Sequence, residues 1–198
     1  MGSGISKSNK NTGQLICPEG YDNEKFKLLD KIIFSDKSKQ FADGQCHIND
    51  ITTMGSSLIV SYFSRSGLWR KGIFNGGVSE IETNNNNKIQ DLILGLNQPH
   101  SPEIFEGQIY VLDSLNKNLY HGTKIISKFH GFIRGLASDG NCFYIGQSED
   151  MYLSKEMGQN INVTMCNAGI FQLDINKNIS RFLSTPDIMN IHDIKVID

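Results

Sequence analysis

The 198-residue chain has no long apolar run, no cysteine pair at zinc or redox spacing, no block of one charge and no sustained helical period. Each absence removes a class of protein. Its longest apolar stretches, such as Leu58-Ile59-Val60 and Leu92-Ile93-Leu94, fall far short of the roughly 20 residues that a membrane-spanning helix needs. No apolar signal-peptide core stands near Met1. The expectation is therefore a cytoplasmic protein with no membrane partner. Gly2 with Ser6 meets the bare myristoylation pattern, which short sequences meet by chance.

Cys17, Cys46, Cys142 and Cys166 are widely and irregularly spaced, which excludes a zinc knuckle or a C-x-x-C redox motif and leaves free thiols in a reducing compartment. The sequons at Asn162 and Asn178 carry no weight without export. Nineteen Lys and Arg against twenty-one Asp and Glu give a formal net charge of −2 with neither sign concentrated. A nucleic-acid partner is excluded on that ground, because such binding leaves a basic stripe.

What the chain does have is a succession of short runs rich in Ile, Val, Phe and Tyr between clusters of Gly, Asn, Asp and Ser. That pattern reads as all-β. Laying the runs over one another reveals a repeat. His100 to Ser114 aligns with Arg134 to Ser148 without a gap, and His47 to Ser64 follows the same plan with three extra residues. In each copy a polar residue opens one strand, a Gly-containing turn follows, and a second strand ends in Ser. His192 to Asp198 opens a fourth copy.

Two further strands complete each unit: Gly77 to Ile81 with Lys88 to Leu94, Asn118 to Tyr120 with Lys124 to Phe129, and Gly169 to Leu173 with Ile179 to Leu183. The intervening Asn84-Asn85-Asn86-Asn87 and Asn176-Lys177-Asn178 are turn chemistry, since Asn tolerates left-handed backbone. Four antiparallel strands per repeat predict a β-propeller-like fold of about four blades, forming an incomplete ring or one that closes through its terminal strands. Residues 1–12 are expected to be a flexible N-terminus and 13–198 a single domain or a fragment of a larger propeller. Within it, Gly13 to Cys17 and Lys25 to Phe34 read as outer strands of a blade.

Four motifs occur in a fixed order: Cys46-His47-Ile48-Asn49-Asp50-Ile51, Pro99-His100-Ser101-Pro102, Gly131-Phe132-Ile133-Arg134-Gly135-Leu136 and Asn190-Ile191-His192-Asp193-Ile194. Together with Gly76-Gly77-Val78, Leu112-Asp113-Ser114 and Tyr144 to Ser148, the set resembles a family of bacterial propeller-like proteins known only as a conserved domain of unknown function. The resemblance covers roughly residues 40–198. Its members carry additional N-terminal blades, so it implies a truncated chain here and brings no reaction with it.

In a propeller the innermost strands line a central channel, so the openings of the repeats should converge there. Those openings are His47 with Asn49 and Asp50, His100 with Ser101 and Glu103, Arg134, and His192 with Asp193. Three imidazoles, His47, His100 and His192, suit a divalent metal ion, and His100 and His192 are candidates for acid–base catalysis near neutral pH. Arg134 offers a planar fork for a carboxylate or phosphate. The expected ligand set is His47, Asn49, His100, Arg134, His192, Asp193 and Trp69. Strict strand alternation puts His47 and Asn49 on the channel side and turns Asp50 away. The same openings have a structural use: a His or Arg there can bond loop backbone and hold blades in register.

Prolines on both sides of His100 fix the backbone at a strand entrance. Ser101 beside His100 does not make a nucleophile, because neighbouring strand residues point apart and no strained elbow is present. Trp69, the single tryptophan, lies in a Gly-flanked basic segment with Arg65, Arg70 and Lys71. It reads as a wall for a flat or sugar-like ligand, or as a lid on the core. His121 and His130 fall outside the openings. Two functions remain open: a channel site for a small polar or anionic molecule with hydrolase or lyase chemistry, and a module that docks a protein partner. A third reading is a remnant of a longer propeller protein.

Overall fold

Twelve strands fold into three separate four-stranded antiparallel meanders in the computed structural model, which describes residues 46–84, 88–149 and 166–197. The expected flexible segment 1–12, the outer strands placed at Gly13 to Phe34 and Asn85 to Asn87 lie outside the described residues. The first sheet comprises β1 (Ile48–Met54), β2 (Ser57–Tyr62), β3 (Gly76–Glu82) and β4 (Lys88–Leu96). Next come β5 (Pro99–Phe105), β6 (Gln108–Asp113), β7 (Asn118–His121) and β8 (Lys124–Lys128). The third holds β9 (Phe132–Ser138), β10 (Phe143–Ser148), β11 (Gly169–Asp174) and β12 (Ile179–Ser184). Each strand pairs only with its chain neighbours, giving the order β1-β2-β3-β4 and its two equivalents. The architecture is all-β and propeller-like. A 3-10 turn, Trp69–Lys71, interrupts it, and among the described residues no helix is long and apolar enough to cross a membrane.

The apolar runs explain how the sheets stack. In β6, Tyr110-Val111-Leu112 is apolar at consecutive positions, the mark of a strand covered on both faces. Val111 packs into a cluster with Ile59, Val78, Ile93 and Leu96 of the first sheet. Tyr110 and Leu112 join Leu119 in a second cluster with Ile133, Leu136, Phe143, Ile145 and Leu173 of the third. The core therefore lies between successive blades rather than inside any one of them. Burying a side chain such as Ile145 or Leu112, each 0% exposed, stabilises by about 1.5–3 kcal/mol.

The serine that ends each second strand holds an equivalent buried place. Ser64, Ser114 and Ser148 are all fully buried. Ser64 Oγ donates to Asn75 Oδ1 (2.7 Å), Ser114 Oγ lies 2.7 Å from His100 Nδ1, and Ser148 Oγ accepts the Ile191 amide (3.0 Å).

Here the structure departs from the sequence reading. Residues 189–197 form no ladder, although the segment from His192 was expected to be an innermost strand. Extended chain becomes a strand only where a neighbour supplies ladder hydrogen bonds, and none of the described strands pairs with it. Ser148 anchors it instead, and the Ile191 side chain fills the space over Gly146, where an added Cβ would stand 2.4 Å from Ile191 Cγ2.

Candidate functional site

The three inner strands share one irregularity. In β1, Ile48 faces Tyr62 and Ile51 faces Val60, so Asn49 and Asp50 together oppose Ser61. In β5, His100 faces Leu112 and Glu103 faces Tyr110, leaving Ser101 and Pro102 opposite Val111. In β9, Arg134 faces Gly146 and Leu136 faces Ile145, which makes Gly135 the extra residue. These are β-bulges at equivalent places, and a bulge re-aims side chains that strict alternation would send elsewhere. Left-handed backbone marks two of them, at Ser101 (φ 52°) and Gly135 (φ 74°).

The bulges bridge one inner strand to the next. Asn49 Nδ2 donates to the Pro99 carbonyl (2.6 Å), the Ser101 amide donates to Asp50 Oδ2 (2.7 Å), and the Gly135 amide donates to Ser101 Oγ (3.1 Å). The C-terminal segment comes next, since a Cβ on Gly135 would meet Asp193 C and Ile194 N at 3.0 Å. Four chain segments thus line an open cavity of about 420 Å³ whose polar lining includes Asp50, Ser101, Glu103, Ser138, Asp193 and Lys195.

Electrostatics tie the lining to the strand starts. Burial pushes the Asp50 carboxyl up, against the opposing pull of the Ser101 amide and of Arg134. Burial likewise raises Glu103, and Asp193 adds to that rise. Arg134 is lowered by burial and pushed back up by Asp50, yet its guanidinium stays protonated. His192 is lowered by burial and by Arg134, with Asp50 opposing. The group Asp50, Glu103, Arg134, His192 and Asp193 therefore shares one field.

Other expected site residues stand apart from the lining. His47 stacks on Phe63 (4.3 Å between centroids, 13°) and meets Trp69 edge-on (4.5 Å), so both belong to an aromatic cluster on the first blade. Arg65 pairs with Asp91 (2.6 Å). Asn49 serves blade register through Pro99, and Asp50, not Asn49, lines the channel, because the bulge breaks the alternation on which the opposite expectation stood. His121 lies flat against Tyr110 (4.6 Å, 6°).

His100 is turned into the interior, 3% exposed, with Nδ1 at 2.9 Å from the Gln98 carbonyl and its ring edge-on to Phe63 and Phe132. Burial, reinforced by Arg134, lowers its pKa to about 3, which keeps the imidazole neutral. Ser101 Oγ receives the Gly135 amide rather than serving His100, so the two form no nucleophile–base pair. Among the described residues no three His, Cys, Asp or Glu side chains are placed to hold a metal ion. The three-imidazole arrangement is not assembled, because His47 is held by aromatic rings and His100 by Gln98 and Ser114.

Sequence reasoning missed the channel role of Asp50 together with Thr52, Ser138 and Lys195. A usable signal existed at the aligned Ser101 and Gly135, since glycine at the position after Arg134 marks the backbone distortion that re-aims its neighbours.

A family model described as Domain of unknown function (DUF4915) matches residues 35–198. The chain belongs to this family. No curated protein and no solved structure matches it. The span assigned to the DUF4915 domain takes in all three sheets, the aligned bulges and every residue that lines the channel.

Proposed function

We propose that this DUF4915 domain binds a small polar molecule in its central channel. The observation that carries the reading is the convergence of four chain segments, three of them through aligned bulges, on a cavity of about 420 Å³ lined by carboxylates and hydroxyls. Ligand sites are concave, largely preformed and furnished with a few placed polar groups, and the channel has those properties. Asp50 is the central group. Its carboxylate lines the cavity, is fixed by the Ser101 amide, and stands in the field of Arg134 and His192.

A thermal-shift screen of sugars, nucleosides, organic acids and amines on wild type and on Asp50→Asn tests this. A ligand at a hundred times its Kd stabilises by about 2.7 kcal/mol, or roughly 5–10 °C for a domain of this size. The reading expects such a compound to stabilise wild type and to lose most of its effect in Asp50→Asn. Compounds that stabilise both proteins equally would contradict it.

A further inference from the structure

Glu103 is a carboxylate that the fold leaves unmatched. It lines the cavity half-buried, yet among the described residues its side chain makes no hydrogen bond and no ion pair. Taking a carboxylate even partly out of water costs free energy unless something meets its charge. The chain does not meet it: burial and Asp193, itself a carboxylate, both raise Glu103, and no cation of the protein opposes them. Ser101 is unmatched on its donor side. Its side chain, 8% exposed, lines the same cavity and accepts the Gly135 amide, while its hydroxyl proton meets no acceptor among the described residues.

The wall as a whole is acidic. Asp50, Glu103 and Asp193 come from three different segments against one ammonium, Lys195, whose pairing with Asp193 at 4.0 Å is open to water and correspondingly weak. Arg134 stands outside the lining and acts on Asp50, and His192, lowered by burial, adds no charge at neutral pH. A concave site with negative walls gathers cations and turns anions away. A bare metal ion is not what it fits. No three acidic, His or Cys side chains among the described residues are placed to hold one, and about 420 Å³ is room for an organic molecule, given about 30 Å³ per water. Ile51, Pro102, Leu136 and Val196 add an apolar stretch to the same wall, which suits a carbon chain.

Resting on the reading above, we infer that the cavity takes a small primary amine, its ammonium among Asp50, Glu103 and Asp193 and its carbon chain against the apolar stretch. An ammonium brings three N–H donors to a wall whose charged groups are mostly acceptors. Ser101 then serves an oxygen carried by the amine.

The test is calorimetric titration of the full chain with n-pentylamine, 1-pentanol and pentanoate, which share five carbons and differ in the charge of the head group. Pentylamine is expected to bind about tenfold or more tighter than pentanol, a difference of about 1.4 kcal/mol or more, and pentanoate more weakly than either. Glu103→Gln removes the charge and keeps the shape. It should weaken pentylamine about fivefold, the difference between a charged and a neutral hydrogen bond, and leave pentanol unchanged. Asp193→Asn, at an exposed position, should move pentylamine in the same direction and takes over if Glu103→Gln fails to fold. Pentanol binding as tightly as pentylamine, pentanoate binding more tightly, or pentylamine affinity indifferent to both substitutions each overturns the inference, and so does silence from all three. Screen hits that vanish in Asp50→Asn would then still uphold the cavity as a binding site.

Discussion

The amide of Ser101 donates to Oδ2 of Asp50 across 2.7 Å, joining the innermost strands of the first and second blades through residues fifty-one positions apart in the chain. No ladder connects those blades. This bond and the Asn49 contact to Pro99 stand in for one, and both issue from the same bulge. Truncating Asp50 leaves a part-buried backbone donor without an acceptor, which costs on the order of 1–3 kcal/mol. Asp50→Ala should therefore lower the stability measured by urea unfolding by that amount. Asp50→Asn keeps an acceptor oxygen and should lose less than about 1 kcal/mol, within the range of a single neutral hydrogen bond.

Ser101 holds a left-handed backbone (φ 52°) while its hydroxyl receives the Gly135 amide. The two features pull in opposite directions. Removing the hydroxyl destabilises, whereas removing Cβ relieves about 1 kcal/mol of left-handed strain. Ser101→Gly should thus be more stable than Ser101→Ala by about that amount, although both fall below wild type. Thermal unfolding of the two variants side by side decides it, and an Ala variant equal to the Gly variant would count against the strain.

Gly135 joins positive φ (74°) to close packing, with Asp193 C and Ile194 N only 3.0 Å from where a Cβ would stand. Gly135→Ala should destabilise by more than the strain alone, about 1–2 kcal/mol, and should push the C-terminal segment off the channel. Faster proteolysis after Lys195 in the variant than in wild type is the expected readout.

His100 predicts an acid sensitivity whose direction follows from linkage. The unfolded chain takes up a proton near the ordinary imidazole value of 6.5, whereas the folded imidazole stays neutral down to about 3. Within that window the unfolded state binds more protons, so stability falls as pH falls, by up to about 1.4 kcal/mol per pH unit. The raised carboxyls of Asp50, Glu103 and Asp113 act in the opposite sense. They are common to wild type and His100→Gln, so the difference between the two stability curves isolates the imidazole. The gap should narrow steadily from pH 7 to pH 4; parallel curves would show that His100 is not held neutral.

Much of the fold was legible because its determinants are local. The apolar runs, the turn residues Asn176-Lys177-Asn178 and the serine ending each second strand identified every described strand pair. The equivalence of the inner strands was legible through the repeat, which aligned Arg134 with His100 and placed both near strand starts. What failed was the choice of side chains within each opening. Alternation sent Asn49 inward and Asp50 outward, and an extra residue opposite Ser61 reversed that assignment. The imidazoles failed for a different reason: His47 and His100 are captured by aromatic rings from distant positions, Phe63, Trp69 and Phe132. The capture of His100 depends on packing between blades, which no local pattern encodes. The C-terminal segment was read as a strand because its composition is that of one, yet strand identity needs a pairing partner.

The most direct measurement is a backbone amide chemical-shift map of the folded domain titrated with the compound that most stabilises wild type in the thermal-shift screen. A cavity site predicts shifts confined to Asp50–Thr52, Ser101–Glu103, Leu136–Ser138 and Asp193–Val196. Shifts centred on the Trp69 cluster instead would contradict it.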